Sequence, residues 1–376
     1  MAASMSDLTI ARIDVFHVDL PYANGVYHLS LGRQYTSFAA TVVRITTQNG
    51  IEGWGESTPF GATYIAAHAL GVRAGITEIA PKLIGLDPRR VDRINDAMDA
   101  ALVGHEHAKT ALDVACWDVF GKSVGLPVCE LLGGRTETSL PRISSIGVCK
   151  PEEMRELVAG YRAKGYTGHS IKIGGDPSAD AALITAALAD KQPGEFFLAD
   201  ANCGLTVERA LRMLRQLPSG LDFVLESPCA TWRENISLRR RTDVPIIFDE
   251  LATDTASVVN LIADDGAEGI NLKISKCGGL TKGRRIRDIC LAAGYTMSVQ
   301  DCWGSDISFA AIAHLAQTIP SDYLRCILDV RSSSTISIAD GKYLDEDDGG
   351  ITVSTAPGLG ITPRLDVLGE PIASYS

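Results

Sequence analysis

The sequence predicts an α/β protein in which a (β/α)₈ barrel is joined to an α+β capping domain. Short apolar segments alternate with helical patterns from Leu140 onward, whereas the chain before residue 60 is strand-like without that alternation. With 376 residues, 45% of them hydrophobic, the chain is long enough for two such units. An open doubly wound sheet is the alternative, but the G-x-G-x-x-G loop expected after its first strand is absent.

The first 138 residues are assigned to the capping domain. Residues 9–16 alternate loosely, and residues 40–47 form a β-rich run that leads into Asn49-Gly50, a dipeptide typical of a hairpin turn. Apolar residues three and four apart then indicate helices from about Tyr64 to Gly125. This order predicts an antiparallel meander followed by helices.

Residues 139–330 are assigned to the barrel, because eight β/α units of near-regular spacing close naturally into one. The predicted strands are 143–147, 169–173, 196–199, 223–225, 246–248, 269–272, 296–299 and 325–328. The predicted helices between them include 152–164, 179–189, 207–215 and 283–293. Residues 331–376, which include the Gly- and Asp-rich stretch 345–350, are expected to leave the barrel and return to the capping domain.

Composition excludes several classes of protein. The formal charge of −11 and the shortness of the longest basic run, Arg239-Arg240-Arg241, argue against nucleic-acid binding. Nine scattered cysteines without a C-x-x-C pair argue against a disulfide framework or a structural zinc site. No apolar run approaches 18 residues, and residues 1–9 do not resemble a signal peptide. We therefore expect a cytoplasmic metabolic enzyme without a membrane partner.

Three acidic residues follow three consecutive predicted barrel strands. Asp200, Glu226 and Asp249 are spaced by about one β/α unit, so they should surround one point at the barrel mouth. Carboxylates in that arrangement repel each other unless a cation lies among them, and oxygen-only ligands favour Mg²⁺. The alternative is that each acid only caps the helix after it. That explanation suits one isolated aspartate better than three acids in register.

Two lysines flank these acids on opposite sides of the predicted barrel. Lys172 follows the second strand and Lys273 the sixth, and a buried lysine needs a partner or a function. Burial and a nearby cation would both lower a lysine pKa, which makes an acid/base pair at a carboxylate substrate the favoured interpretation. A structural ion pair is the alternative for Lys172.

These residues belong to a set of motifs through which nearly the whole chain resembles the enolase superfamily, in its muconate-lactonizing/mandelate-racemase-like branch. The motifs are Gly53-Trp54-Gly55-Glu56, Ala111-Leu112-Asp113, Leu131-Leu132-Gly133-Gly134, Ile171-Lys172-Ile173-Gly174, Asp200-Ala201-Asn202, Glu226-Ser227-Pro228, Asp249-Glu250 and Lys273-Ile274-Ser275-Lys276-Cys277-Gly278-Gly279. The resemblance implies that Asp200, Glu226 and Asp249 bind Mg²⁺ and that Lys172 and Lys273 are the acid and base. It also implies a homo-oligomer.

One position departs from the pattern of the branch, which usually has Lys-x-Lys at the second strand. Here the first of those positions is Ser170. The lysine that is expected to reach the α-carbon, Lys172, is retained. We therefore expect Ser170 to contact substrate instead.

A narrower resemblance is to the subgroup that acts on proline derivatives, which includes cis-3-hydroxy-L-proline dehydratases and 4-hydroxyproline betaine 2-epimerases. It rests on Gly61-Ala62-Thr63-Tyr64, on Asp301-Cys302-Trp303-Gly304 and on the ending Pro357-Gly358-Leu359-Gly360. An acid (Asp301) beside an indole (Trp303) suits a cationic ring nitrogen. Trp303 as barrel packing and Tyr64 as a core aromatic are the alternatives to substrate contacts.

The predicted activity is therefore Mg²⁺-dependent abstraction of the proton α to a carboxylate, with dehydration of cis-3-hydroxy-L-proline favoured over 2-epimerisation of a proline betaine. Local stretches such as Ala115-Cys116-Trp117-Asp118 favour the dehydratase. A non-catalytic binding barrel and a Schiff-base aldolase are the remaining alternatives. The supporting residues are expected to be Asn202, Glu250, Tyr27 and His28, the last two in a capping loop that determines specificity.

Overall fold

The computed structural model describes residues 8–136, 138–329, 331–341, 344–347 and 350–376. Most of the N-terminal segment tested for a signal peptide, and Asp348 and Gly349 of the acidic tail, lie outside these ranges. Within them the predicted fold class is confirmed: eight parallel strands form a closed barrel beside an antiparallel sheet with its own helices.

The antiparallel sheet is built mainly from the N-terminal part of the chain. Its strands from this part are β1 (Ile10–Pro21), β4 (Ser37–Thr47) and β5 (Glu52–Ser57). The two-residue strands β2 (Tyr27–His28) and β3 (Gln34–Tyr35) lie in the β1–β4 connection. The predicted hairpin turn joins β4 to β5, and Gly50 adopts a φ of 85° there, a conformation that favours glycine.

Four helices follow this sheet: α1 (Ala69–Leu83), α2 (Val91–Ala101), α3 (Glu106–Val124) and α4 (Val128–Leu131). Helix α3 is buried on nearly all sides because it lies between the sheet and the barrel. Its backbone approaches β5 so closely that a Cβ at Gly55 would lie 2.1 Å from the carbonyl oxygen of Ala111. The glycines of the Gly-Trp-Gly-Glu motif therefore permit this close packing.

The barrel strands run in chain order around the closed sheet. They are β6 (Arg142–Ile146), β7 (Gly168–Lys172), β8 (Phe196–Asp200), β9 (Val224–Glu226), β10 (Ile246–Phe248), β11 (Gly269–Lys273), β12 (Thr296–Gln300) and β13 (Leu324–Leu328). Each lies within one or two residues of its predicted position. Apolar side chains dominate the interior, as both-face burial of a parallel sheet requires.

The helices connecting these strands form the outer layer. They are α5 (Pro151–Ala163), α6 (Pro177–Leu188), α7 (Val207–Leu214), α8 (Trp232–Arg239), α9 (Thr255–Ala263), the short α10 (Ile274–Cys277), α11 (Leu280–Ala293) and α12 (Asp306–Ala316). Several begin with a side-chain cap, such as Thr231 and Asp254, whose side chains accept the backbone N–H three residues later. Among the described residues, no helix combines the length and apolarity that a membrane span requires.

The segment after the barrel contacts both the barrel and the capping domain. It contains β14 (Ala339–Asp340), β15 (Leu344–Asp347), β16 (Gly350–Val353), β17 (Thr362–Pro363), α13 (Leu365–Leu368) and β18 (Ala373–Tyr375). The backbone N–H of Val353 donates to Gln317 after α12, whereas β18 pairs antiparallel with β1. The last strand thus joins the first sheet, and earlier parts of the segment also touch the capping domain, where the Thr335 N–H donates to the Pro21 carbonyl and the Leu359 N–H donates to Asp118.

Candidate active site

Five charged residues predicted from the sequence stand at the carboxyl ends of five consecutive barrel strands. Lys172, Asp200 and Glu226 are the last residues of β7, β8 and β9, Lys273 is the last of β11, and Asp249 directly follows β10. The strand register aligns Lys172 with Asp200 and Asp200 with Glu226. All five side chains are buried, so the barrel mouth contains a cluster of charges with little access to water.

The lysines of this cluster are paired with its acids. Lys172 donates to Asp200, and the Nζ atom of Lys273 lies 2.5 Å from Oδ2 of Asp249. A third lysine, Lys276 in α10, lies 2.5 Å from the other carboxylate oxygen of Asp249. Nearby lysine charges hold the pKa of Asp249 below its usual range despite burial, so this carboxyl is ionised.

Glu226 has no such lysine partner. Its Oε1 accepts a hydrogen bond from Asn271 Nδ2 at 2.5 Å, and burial together with the charges of Asp200 and Asp249 raises its pKa well above the usual range. Glu250 has a raised pKa for the same reasons, and its Oε2 atom is buried without a hydrogen-bond partner. Four acids therefore face three lysines, so carboxyl groups outnumber ammonium groups at the mouth.

This excess of carboxylate oxygen is the chemistry that a divalent cation such as Mg²⁺ requires, so the residues present fit one. The two aspartates, however, are turned toward lysine ammonium groups. In the part of the chain that the structure describes, no three acidic, histidine or cysteine side chains converge as a ready-made metal site. The assignment of Asp200, Glu226 and Asp249 as ligands stays a prediction.

The pKa of both predicted catalytic lysines is raised, which is opposite to the direction expected from the sequence. Burial alone would lower it, but the charges of Asp200 beside Lys172 and of Asp249 beside Lys273 outweigh burial. A cation held by these carboxylates would compete with the lysines for the same oxygen atoms. The expectation of a lowered pKa counted burial and a nearby cation but omitted the direct pairing of each lysine with an acid.

Strained backbone lies next to two of the acids. Asn202 has a φ of 43° and Ser227 a φ of 38°, values that non-glycine residues rarely adopt. Asn202 Nδ2 donates to Asp200 at 3.0 Å and to Glu250 at 3.1 Å, so the strained turn connects two acids of the cluster. The structure thus brings both predicted supporting residues, Asn202 and Glu250, to the charged cluster.

Tyr64 reaches the same cluster from the capping side. Its hydroxyl accepts a hydrogen bond from Lys273 at 2.6 Å and donates one to Asp249 at 2.9 Å, and the lysine Nζ lies 5.0 Å from the ring centroid. The residue lies in a turn before α1, and not in a helix as the sequence pattern predicted. Tyr64 therefore contacts the charged groups directly, and its role toward substrate stays a prediction.

Asp301 and Trp303 follow β12 and line the same narrow cavity as the two lysines. Burial raises the pKa of Asp301 to about 6, and its oxygens accept from Ser275, from the Cys302 N–H at 2.7 Å and from Ser308 at 3.2 Å. Trp303 stacks on Phe38 with ring centroids 4.1 Å apart. Both residues are thus engaged by the protein, and their contact with a cationic ring stays a prediction.

The two loop residues predicted to support the site differ in position. Tyr27 is buried and lines the cavity, whereas His28 is exposed on the outer side of the strand and does not line it. Alternation along an extended strand explains the difference, because successive side chains point in opposite directions. Ser170 is buried and lines the cavity below Lys172 on the same strand.

Sequence reasoning did not assign three residues that the structure brings to the cavity or its acids. Lys276 contacts Asp249, Asn271 contacts Glu226, and Ser145 at the end of β6 lines the cavity. The spacing contained a signal for two of them. Lys276 lies one helical turn after Lys273, and Asn271 precedes Lys273 by two positions on a strand, which is the same face.

Comparison with known families covers both parts of the chain. The N-terminal domain of mandelate racemase and muconate lactonizing enzymes matches residues 12–133, and the enolase C-terminal domain-like family matches residues 153–367. Together these matches include the capping sheet and helices as well as the barrel.

Among named relatives, the cis-3-hydroxy-L-proline dehydratase of Roseibium aggregatum is 44% identical to this chain, over 98% of the chain and 100% of that protein. The N-succinyl-L-Arg/Lys racemase of Bacillus cereus is 27% identical over 96% of the chain and 98% of that protein. The relatives therefore include both a lyase and a racemase.

Solved structures agree with the fold. A protein of Aspergillus oryzae, provisionally named a mandelate racemase/muconate lactonizing enzyme, is 70% identical with a TM-score of 0.93 and covers 98% of this chain and 100% of its own. A protein of Roseovarius nubinhibens, provisionally named in the same way and solved in complex with magnesium, is 53% identical with a TM-score of 0.96 over the same shares.

Proposed function

This chain is an enzyme of the mandelate racemase/muconate lactonizing enzyme family in the enolase superfamily, and we propose that it dehydrates cis-3-hydroxy-L-proline to Δ¹-pyrroline-2-carboxylate. The observation that carries the proposal is the pair of buried lysines on opposite barrel strands, Lys172 and Lys273, with acids between them. Full-length similarity to a dehydratase of this substrate supports the choice of substrate.

Asp200, Glu226 and Asp249 would hold Mg²⁺, as their excess of buried carboxylate oxygen suggests. When bound, Mg²⁺ supplies positive charge near the substrate carboxylate as the α-proton leaves. This proposal draws on the acid cluster itself. It is also consistent with the magnesium complex of the similar Roseovarius protein.

The chain's own groups would move the protons. Lys172, in its neutral form, takes the proton from Cα, and the electron pair left behind expels the C3 hydroxyl, which leaves as water after protonation by a lysine ammonium. The C2–C3 double bond of the resulting enamine shifts to C2–N as C3 gains a proton and the ring nitrogen loses one. One water is lost overall, and no oxidant or reductant is required.

A second candidate is 2-epimerisation of a proline betaine, because Lys273 faces Lys172 from the opposite side of the barrel and could return a proton to the other face of Cα. The relatives include a racemase and an epimerase, each 27% identical. Both candidates share the first proton transfer, so they differ only in the fate of the carbanion.

Incubation with cis-3-hydroxy-L-proline and Mg²⁺ separates the two candidates. We expect a cyclic imine that 2-aminobenzaldehyde traps as a coloured adduct. No imine, together with solvent deuterium entering proline betaine at Cα, would replace the dehydratase with the epimerase. If neither product forms, both candidates are contradicted. Borohydride trapping of a lysine adduct would then indicate Schiff-base chemistry.

A further inference from the structure

Three hydroxyl groups lie together on one wall of the cavity, beside Lys172. The hydroxyl of Tyr27 is 2.7 Å from that of Ser145, and Ser145 on β6 is the register partner of Ser170 on β7. All three residues line the cavity that also contains Lys172 and Lys273. None of the three is used by the proton transfers proposed above.

Packing fixes the direction of the Tyr27 phenol. Its ring contacts Phe60 and Trp303 edge-to-face, with centroids 5.5 and 5.7 Å apart, and the side chain is only 2% exposed. The capping domain thus extends one neutral hydroxyl to the barrel strands. Burial raises the pKa of Tyr27, so the phenol keeps its proton and remains a donor at neutral pH.

Charge determines which part of a substrate suits this wall. Lys172 and Asp200, which are paired with each other, have opposite electrostatic effects on Tyr27, and none of the three hydroxyl residues carries a charge. Their hydroxyls offer no charge that would pair with a cationic ring nitrogen, whereas a neutral hydroxyl can both donate to and accept from Tyr27, Ser145 and Ser170. Asp301, which lines the same cavity, is an acid and therefore suits the ring nitrogen better.

We propose that Tyr27, Ser145 and Ser170 form a subsite for the neutral hydroxyl of the substrate, adjacent to the lysine that removes the α-proton. This inference rests on the proposed function and adds the residues that select a hydroxylated ring over an unhydroxylated one. Sites built to bind a hydroxyl reject analogues that lack it, because their buried polar groups are then left unpaired.

The test compares cis-3-hydroxy-L-proline with L-proline, which differs only in the missing hydroxyl. For Y27F and S170A we expect kcat/KM for dehydration to fall about 10- to 100-fold, the loss expected for one buried hydrogen bond. The inhibition constant of L-proline against the same reaction should change less than about twofold. Y22F is the matched control, since the Tyr22 ring packs on Tyr27 and its hydroxyl accepts a hydrogen bond from the exposed Asn24.

The possible results distinguish failure of the hydroxyl subsite from failure of the proposed dehydratase function. If Y27F lowers kcat/KM for cis-3-hydroxy-L-proline and weakens inhibition by L-proline by the same factor, Tyr27 has a structural role and the subsite is overturned. Unchanged kinetics in both Y27F and S170A would also overturn it. Absence of proline inhibition of the wild type at about 100 times the substrate KM supports the subsite. A wild-type enzyme that dehydrates nothing contradicts the proposed function itself, and the subsite with it.

Discussion

The barrel mouth and the capping segments above it contribute different kinds of group to the same cavity. The barrel provides charges: Lys172, Lys273 and three acids stand at the ends of hydrogen-bonded strands, where register determines their spacing. The capping segments provide aromatic rings and neutral hydroxyls from turns and two-residue strands, such as Tyr27 and Tyr64. Under the proposals above, proton transfer would depend on the barrel strands, and substrate choice on the capping chain together with Ser145 and Ser170 of the barrel.

The largest effect should come from the barrel side. K172A and K273A each remove a proton-transfer group, and we expect kcat to fall by about 10²- to 10⁴-fold, the usual contribution of general acid–base catalysis. Steady-state kinetics of imine formation measure this loss. K82A, which alters an exposed lysine in α1, is the control and should retain full activity. Activity within tenfold of wild type in both lysine variants would exclude the barrel charges as the chemical groups.

The second effect tests the connection between the two regions. Glu56 at the end of β5 is buried, and it accepts hydrogen bonds from the backbone N–H of Ser305 at 2.9 Å and of Ser308 at 3.0 Å, at the start of α12. The capping sheet thereby holds the loop that contains Asp301 and Trp303. Burial, opposed by these hydrogen bonds, raises the pKa of Glu56 to about 7.

The sign of the pH dependence follows from that raised pKa. Below pH 4.5 the carboxyl is protonated in both folded and unfolded chains. Between about pH 4.5 and 7 only the unfolded chain ionises, so stability is lost as pH rises, by about 3 kcal/mol in total. The difference in unfolding free energy between wild type and E56Q should change by this amount across that window in denaturant titrations. An equal pH slope in both proteins would contradict the buried link, and E52Q on the exposed part of β5 is the control.

A third prediction concerns Mg²⁺. A ligand at 100 times its Kd stabilises a folded protein by about 2.7 kcal/mol, so saturating Mg²⁺ should raise the melting temperature of the wild type. E226Q should lose most of this response. Without metal it should be no less stable than wild type, because it removes a carboxylate that its neighbours repel. A full Mg²⁺ response in E226Q would remove Glu226 from the predicted ligands.

The smallest effect is expected on the outer side of the capping loop. H28A removes an exposed side chain and keeps the backbone carbonyl, which accepts from the Val148 N–H at 3.1 Å. We expect kcat/KM to change less than about twofold, as for surface positions in general. A tenfold loss would mean that the loop closes over substrate with His28 inside, and the contrast with Tyr27 would no longer hold.

The fold could be predicted from the sequence because its pattern of apolar residues is periodic. Apolar strands at regular spacing predicted the barrel, and charged residues at the ends of five of its strands predicted where the five charges meet. Periodicity also suggested a helix from Tyr64, which was wrong, because residues 61–68 turn toward the barrel so that the phenol reaches Asp249. Tertiary contact outweighed local propensity there.

The side-chain hydrogen bonds inside the site were harder to predict from the sequence. A strand-end pattern places Lys273 and Asp249 at one level, but it does not state that Lys276 shares the same carboxylate or that Asn271 binds Glu226. Such contacts depend on side-chain directions after packing, which single-sequence spacing does not contain. The cluster of hydroxyls from Tyr27, Ser145 and Ser170 brings together two distant parts of the chain, and nothing in either part alone indicates it.

Under the proposed function, the barrel lysines remove the proton α to a carboxylate. The most direct measurement is a proton NMR time course of cis-3-hydroxy-L-proline with the Mg²⁺-loaded enzyme in D₂O. We expect the Cα–H signal to disappear as signals of the imine product grow, and K172A and K273A to suppress both changes. Persistence of the Cα–H signal with wild type, or its loss at an undiminished rate in both lysine variants, would contradict it.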